Sequence, residues 1–317
     1  MPRDTKTDRL RLDDAARAGW LYYVAQNTQD EIAAKMNISR QSAQRLVALA
    51  MRERLVKFKL DHPIARCMEL AQALQDRFGL TFCEVTLVDP TSQDPALGIA
   101  EVAAAEMEKW LKADGPIVMA LGTGREIRGA VDQVSRMACP QHKVVSLVGS
   151  LAPDGSANVN DPITVIGDAT GAPRHPLAVP VVATSRDERD VVCAQIPIRR
   201  NIELAGRADV SFVGIGELND APPLLTDGFI TADELAALQA AGGAGEIIGW
   251  SFDDRGDLIP GQVNDRVTSV PLVKEPARPF IGVARGPNKL RAIRAALTGR
   301  WLTGLITDET TAESLVA

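Results

Sequence analysis

Residues 28–50, TQDEIAAKMNISRQSAQRLVALA, read as helix, tight turn and helix. Thr28 can cap the first helix, and Glu31 three residues on completes a capping box. Ile32, Ala33 and Met36 give that helix an apolar face. Asn37 falls where the chain must turn sharply, in the left-handed conformation that Asn tolerates better than most residues. Ile38 anchors the turn, and Ser39 can cap a second helix with Ala43, Leu46 and Val47 facing inward. Between those apolar positions stand Arg40, Gln41, Ser42, Gln44 and Arg45. Arg pairs bidentately with guanine and Gln with adenine, whereas Ser and Arg also hold phosphates. A helix-turn-helix presents such residues on the N-terminal half of its second helix. The expected DNA-binding set is Thr28, Gln29, Ser39, Arg40, Gln41, Ser42, Gln44 and Arg45. The alternative is an ordinary helical hairpin with a solvated polar face.

Charge distribution favours DNA. Residues 1–60 hold twelve Lys/Arg and seven Asp/Glu, a net of +5, whereas the whole chain is −6. Residues 61–317 therefore carry −11. An acidic chain that gathers its positive charge around one helical motif carries a footprint for phosphates. Arg52, Arg54, Lys57 and Lys59 extend that footprint beyond the second helix.

Outward from this motif, residues 9–26 read as a further helix, with Leu12, Ala16, Trp20, Tyr23 and Val24 at helical spacing beneath the pair. LVKFKL at 55–60 alternates apolar with basic residues and predicts a short strand, a wing. Asp61-His62-Pro63 breaks the pattern, which places a boundary near residue 60. The expected domains are 1–60, binding DNA, and 61–317, binding a small effector and forming oligomers.

In the second part, helices are expected at 64–78, 99–112 and 289–297, and strands at 81–88, 117–121, 143–149, 178–183, 210–216, 280–284 and 302–307. Continuous apolar strands interleaved with helices indicate a parallel sheet covered on both faces, a doubly wound α/β domain. In such sheets ligands sit beyond the carboxyl ends of the strands. Four polar loops are candidates there: Gly122-Thr123-Gly124-Arg125, Gly214-Ile215-Gly216-Glu217, Asp253-Asp254-Arg255-Gly256 and Gly286-Pro287-Asn288-Lys289. The first is also compatible with a plain tight turn and the third with a hairpin turn. The first is not a phosphate-binding P-loop, because no Gly-Lys-Ser/Thr follows.

A composition of 45% hydrophobic and 24% charged residues is that of an ordinary globular protein. No apolar run reaches the ~18 residues that a membrane span needs. MPRDTKTDRLRLDD carries no signal core, so a cytoplasmic location without a membrane partner is expected. Cys67, Cys83, Cys139 and Cys193 lack CxxC spacing, and His62, His142 and His175 are far apart, so neither a metal nor a cofactor is expected.

Together these stretches resemble the SorC family of bacterial sugar-responsive transcriptional regulators. Tyr22-Tyr23, TQDEIA and ISRQSAQRL carry the likeness first, then DVSFVGIGE and GAGEIIGWSFDDRGDLI. The most specific part is IGVARGPNKLRAIRAALTGRWLTGLITDETTA at the C-terminus. The resemblance implies a winged-helix-like DNA-binding domain joined to a domain related to sugar-phosphate isomerases and glucosamine-phosphate deaminases. In the family that domain binds a sugar or sugar phosphate, no longer catalyses, and changes affinity for double-stranded operator DNA. Dimers or tetramers are usual. The family's effector loops fall on Gly122, Thr123, Gly124 and Arg125, on the aspartate of an FFD-like motif at Asp253, and on Lys289. Glu126, Gly216, Glu217 and Trp250 complete the expected effector set.

The chain departs from the family pattern at three places. Many members have Thr or Ser where Glu126 stands, Arg where Trp250 stands, and a second Gly where Arg285 stands. An acid beside an anion site repels a phosphate, and a Trp can cover the C–H face of a sugar. An unphosphorylated pentitol, hexitol or related sugar is therefore expected, although Arg125, Arg128 and Arg285 could neutralise a phosphate. An isomerase- or deaminase-like enzyme is the alternative function, with Glu126, Asp253 or Asp254 as its base.

Overall fold

The computed structural model describes residues 5–53, 55–56, 62–88, 96–151, 155–156, 161–261 and 263–317, with only the backbone at 5–10 and 97. The chain divides into two compact units, Met1–His62 and Pro63–Ala317.

The first unit holds α1 (Thr5–Tyr23), α2 (Gln29–Met36) and α3 (Arg40–Arg52). The capping box at the start of α2 is complete. The Glu31 N–H donates to Thr28 Oγ1 at 3.3 Å, and the Thr28 N–H donates to Glu31 Oε2 at 2.7 Å. Asn37 closes α2 in the left-handed conformation, φ 53° and ψ 48°. Ser39 Oγ accepts from the Ser42 N–H at 3.1 Å and caps α3. Ala18, Ile32, Ala43 and Val47 form one apolar cluster, and Ala15, Leu49 and Ala50 another.

α1 meets this core only in part through the residues expected: Tyr23 packs against the cluster of Ala18, Ile32, Ala43 and Val47, but others of the stripe do not. Trp20 is 55% exposed and Val24 61% exposed, Ala16 is exposed, and Ala15 and Ala18 are buried instead. Small side chains let α1 lie close against α3, where a Cβ on Gly19 would fall 2.9 Å from that of Ala50, and Trp20 is left outside. The predicted strand at 55–60 falls mostly on residues outside those described; Leu55 and Val56 lie in irregular chain.

The second unit begins with α4 (Ile64–Phe78), β1 (Phe82–Thr86), α5 (Leu97–Leu111), β2 (Val118–Leu121), α6 (Arg125–Asp132), β3 (Lys143–Leu151) and α7 (Ile163–Thr170). It continues through β4 (Arg174–Pro180), α8 (Arg186–Ala194), α9 (Ile196–Ala205) and β5 (Val210–Gly214). A small insertion follows: β6 (Gly216–Glu217), α10 (Pro223–Thr226), α11 (Ala232–Ala240), β7 (Gly243–Ile247) and β8 (Trp250–Asp253). The chain then closes with β9 (Phe280–Val283), α12 (Leu290–Thr298), β10 (Gly304–Asp308) and α13 (Glu309–Val316).

Seven strands form one sheet in the order β1-β10-β9-β5-β2-β3-β4, every neighbouring pair parallel. Alternate residues of each strand enter opposite apolar layers, as a pleat buried on both faces requires. Met119, Leu121, Val144, Phe212 and Ile306 pack with Ile99, Met107 and Ile127 of α5 and α6. Ala120, Val145, Val213 and Leu305 pack with Leu70, Ile293 and Leu315 of α4, α12 and α13. β6, β7 and β8 form a separate antiparallel sheet, beside a cluster of Leu218, Leu224, Leu235 and Ile259.

Two expected strands differ in the structure. The run expected at 178–183 starts earlier, because β4 pairs with β3 from Val144↔Arg174 onward. The run expected at 210–216 is cut at Gly214: β5 stays in the parallel sheet, whereas Gly216–Glu217 turns away to pair with β7.

The direction of travel reverses once in the large sheet. From β2 the chain steps to β3 and β4 on one side. It returns as β5 on the other side of β2, then moves outward to β9 and β10. The adjacent strands β2 and β5 thus flank a topological switch point, where loops at the carboxyl ends part and leave a crevice.

Replacing Ser39 by Ala removes the α3 cap and should cost about 1 kcal/mol. Hydrogen exchange of the α2–α3 amides should quicken roughly five-fold while that of the second unit is unchanged. Unchanged exchange in α3 would show that the cap contributes nothing.

Candidate functional site

The loops after β2 and β5 line a cavity of about 130 Å³. That is close to the ~150 Å³ known to hold a benzene-sized molecule. Thr123, Gly124, Arg125 and Glu126 reach it from the β2 loop, and Gly214, Ile215, Gly216 and Glu217 from the β5 loop. Lys289 enters from the turn after β9, and Glu246, Ile248 and Gly249 from the β7–β8 hairpin. Val148, Val181, Leu224 and Phe229 supply apolar wall, and Asp227 a further carboxylate.

Local backbone chemistry sets these positions. Gly124 takes φ 115° and ψ 163° as it opens α6, a conformation closed to residues with a Cβ. No side chain caps that helix, so its first N–H groups are open to a partner outside the helix. Gly216 lies directly under the Glu246 carboxylate; a Cβ there would fall 2.1 Å from Glu246 Oε1.

Carboxylates dominate the electrostatics. Lys289 Nζ sits 2.6 Å from Glu126 Oε1, with the two side chains 17% and 15% exposed. Glu246 Oε2 accepts from the Gly249 N–H at 2.7 Å. Burial pushes the Glu246 carboxyl up to about 7; the Gly249 hydrogen bond and Lys289 oppose the rise, and Glu217 adds to it. Glu217 Oε2 is buried and finds no hydrogen-bond partner among the described residues. An acceptor in that condition carries an unpaid desolvation cost until a donor reaches it.

Seven of the expected effector residues meet at this cavity: Thr123, Gly124, Arg125, Glu126, Gly216, Glu217 and Lys289. Three do not line it. Gly122 is buried just behind the loop, its N–H bonded to the Phe212 carbonyl at 2.8 Å. Asp253 is spent on its own turn, Oδ1 accepting from the Arg255 and Asp257 N–H groups at 2.9 Å each. The third loop, Asp253-Asp254-Arg255-Gly256, therefore does not converge with the other three. Trp250 packs against the core, and its indole N–H donates to the Val270 carbonyl at 3.0 Å. The aromatic surface that lines the cavity belongs to Phe229.

Two of the arginines that could neutralise a phosphate are engaged elsewhere. Arg128 pairs with Asp132 at 3.1 Å and Arg285 with Asp308 at 2.8 Å. Burial pushes the Asp308 carboxyl up, but Arg285 and two hydrogen bonds from Thr311 outweigh it and hold the group below its usual value. Arg125, exposed, and Lys289 are the cations that line the cavity among the described residues.

Sequence reading missed Glu246, Asp227 and Phe229. Glu246 faces Gly216 across the β6–β7 ladder. Its signal was GAGEIIG, an acid inside an otherwise apolar, glycine-rich strand, where an uncompensated charge is costly.

On the first unit, Arg40, Gln41, Gln44 and Arg45 are all exposed on α3. Arg40 pairs with Asp30 at 3.4 Å, an exposed contact worth little. The side chains of Thr28, Ser39 and Ser42 are engaged in capping; Ser39 Oγ and Ser42 Oγ lie 2.9 Å apart. Gln29 is half-buried at the first position of α2. No group of three His, Cys, Asp or Glu suited to a metal occurs among the described residues. No helix among them is long and apolar enough to cross a membrane.

Residues 62–317 match the Sugar-bind family model, described as "Putative sugar-binding domain". The erythritol catabolism regulatory protein EryD of Brucella abortus is 31% identical over 302 residues, 95% of this chain and 96% of that one. The deoxyribonucleoside regulator of Bacillus subtilis is 28% identical, covering 98% of this chain and 99% of its own. Among solved structures, the full-length sorbitol operon regulator SorC of Klebsiella pneumoniae superposes with a TM-score of 0.72 at 23% identity. That match covers 96% of this chain and 99% of the other.

The raised Glu246 group makes a sign-definite prediction. Its folded value of about 7 lies above the ordinary 4.5, so the folded state holds this proton more tightly than the unfolded chain. Stability on this account is greatest below pH 4.5 and falls by on the order of 3 kcal/mol as pH rises to 7. Glu246→Gln should match the wild type near pH 5 and melt higher than it at pH 8. Parallel melting curves across that range would refute the assignment.

Proposed function

The chain belongs to the SorC-type family of sugar-binding transcriptional regulators, and from that premise we propose that its effector is a small unphosphorylated polyol or sugar. It is a DNA-binding regulator whose operator affinity is switched by a small carbohydrate, and not an enzyme.

The observation that carries the effector reading is the buried, unpartnered Glu217 Oε2 in a cavity that Glu126, Glu246 and Asp227 also line. Four carboxyl groups against two cations make a wall of acceptors, which calls for a ligand rich in donors. A polyol supplies an O–H on every carbon; a phosphate adds charge of the wrong sign. Phe229, Ile248 and Val181 offer apolar surface to the C–H side of such a ligand. The small cavity favours a short chain, in keeping with the named role of the Brucella relative in erythritol catabolism.

In this reading residues 1–60 bind operator DNA, and residues 61–317 bind the effector and form a homo-oligomer, dimer or tetramer, in the cytoplasm. Gln41, Gln44 and the guanidinium groups of Arg40 and Arg45 read base edges, whereas Thr28, Gln29, Ser39 and Ser42 seat the two helices on the backbone. Effector binding shifts the population of oligomer geometries, and with it the match between recognition helices and half-sites.

Two outcomes are expected. In calorimetry with matched pairs (erythritol, ribitol and glucitol against their terminal phosphates), at least one free polyol binds and its phosphate does not. Binding of phosphates alone would overturn the effector reading. Gln44→Ala or Arg45→Ala should cost about 1–3 kcal/mol at particular base pairs of the operator. Equal loss on unrelated DNA would make these residues phosphate contacts.

A further inference from the structure

We propose that the Glu126 carboxylate is a resident stand-in for a ligand phosphate, and that this one side chain closes the cavity to phosphorylated sugars. The inference deepens the effector reading above and rests on the same cavity.

Two features that attract anions converge where Glu126 lies. One is the start of α6, whose first N–H groups have no capping side chain because Gly124 precedes them. The other is the Lys289 ammonium, delivered from the turn after β9, two strands away from β2 in the sheet. Glu126, in the first turn of α6, places its carboxylate 2.6 Å from that ammonium. Both side chains are largely withdrawn from water, where an ammonium without a counter-charge is costly. The pair is therefore satisfied from within, and an incoming phosphate would have to displace a tethered carboxylate that competes at very high effective concentration.

The remaining walls add to the exclusion. Glu246 and Glu217 face the same space, and Glu246 lies close enough to Lys289 for their charges to interact. A phosphate entering beside Glu126 would meet these carboxylates with Arg125, at the exposed edge, as the other lining cation. A neutral polyol meets no such repulsion, and its hydroxyls can donate to the carboxylate oxygens.

Removing the carboxylate should turn the same position into a phosphate site. Glu126→Ser leaves Lys289 and the open α6 N-terminus facing a small hydroxyl, with room for an anion. Calorimetry on the full-length chain, using inorganic phosphate as the probe, should show binding to Glu126→Ser at least tenfold tighter than to the wild type. The gain should weaken with added salt and vanish in Glu126→Ser combined with Lys289→Met. Circular dichroism and melting curves establish that each variant is folded. If Glu126→Ser does not fold, Glu126→Thr serves in the same assay, and wild-type protein that binds phosphate or a polyol phosphate as tightly as either variant overturns the proposal. A folded variant that gains no phosphate affinity also overturns it, as it would if Lys289 simply turned to Glu246. The two readings fail separately: wild-type protein that ignores every free polyol sinks the effector reading, whereas the phosphate gain in Glu126→Ser decides the role of Glu126.

Discussion

Everything at the candidate site depends on one constraint: a sheet of seven parallel strands buried on both faces leaves little room for polar chemistry in its interior. Its layers are filled by Met119, Phe212, Ala120 and Val213 and their partners on the covering helices. Few polar side chains, such as Ser146, Ser211 and Thr307, are buried within the strands, and at the β2/β5 reversal neighbouring loops diverge and leave a crevice. The insertion after β5 completes that crevice, bringing Glu246 and Gly249 across from a second sheet and Phe229 from the chain between its helices. The scaffold positions the site, and the site residues need contribute little to the fold.

What the crevice can bind is then decided by charge and by unmet hydrogen bonding. Lys289 is neutralised by Glu126, Arg285 by Asp308, and Arg128 by Asp132. The buried lining atom left without a partner among the described residues is an acceptor, Glu217 Oε2. On the proposed reading the effector is uncharged, and it lacks the strong charge–charge contact that a phosphate provides. Acceptors in a partly dry cavity would suit such a ligand, since a hydrogen bond to a carboxylate that stays ionised is stronger than one to a neutral group. Their cost in folding stability is visible in the raised Glu246 group.

Legibility in the sequence followed the range of the interactions. The capping box of Thr28 and Glu31, the left-handed turn at Asn37 and the cap at Ser39 are local, and each stands where the residues indicated. The parallel strands were legible because a strand buried on both faces reads as an unbroken apolar run. The orientation of α1 was not, since Ala16, Trp20 and Val24 keep helical spacing whichever face the neighbouring helix covers; the small Ala15 and Ala18 decided it. Trp250 and Asp253 also escaped. The Val270 carbonyl that takes the indole N–H is twenty residues away, and the turn that consumes the aspartate competes with any ligand for the same lone pairs. Glu246 reaches the cavity only through cross-strand pairing with Gly216, which spacing along the chain does not reveal.

The most direct test of this account is a crystal structure of the full chain grown with the free polyol that raises its melting temperature most. The account predicts the polyol in the crevice between the β2 and β5 loops, with hydroxyls donating to Glu217 and Glu246, its carbon face against Phe229, and the Glu126–Lys289 pair intact. A polyol bound elsewhere, or one that enters only by breaking the Glu126–Lys289 pair, would contradict it.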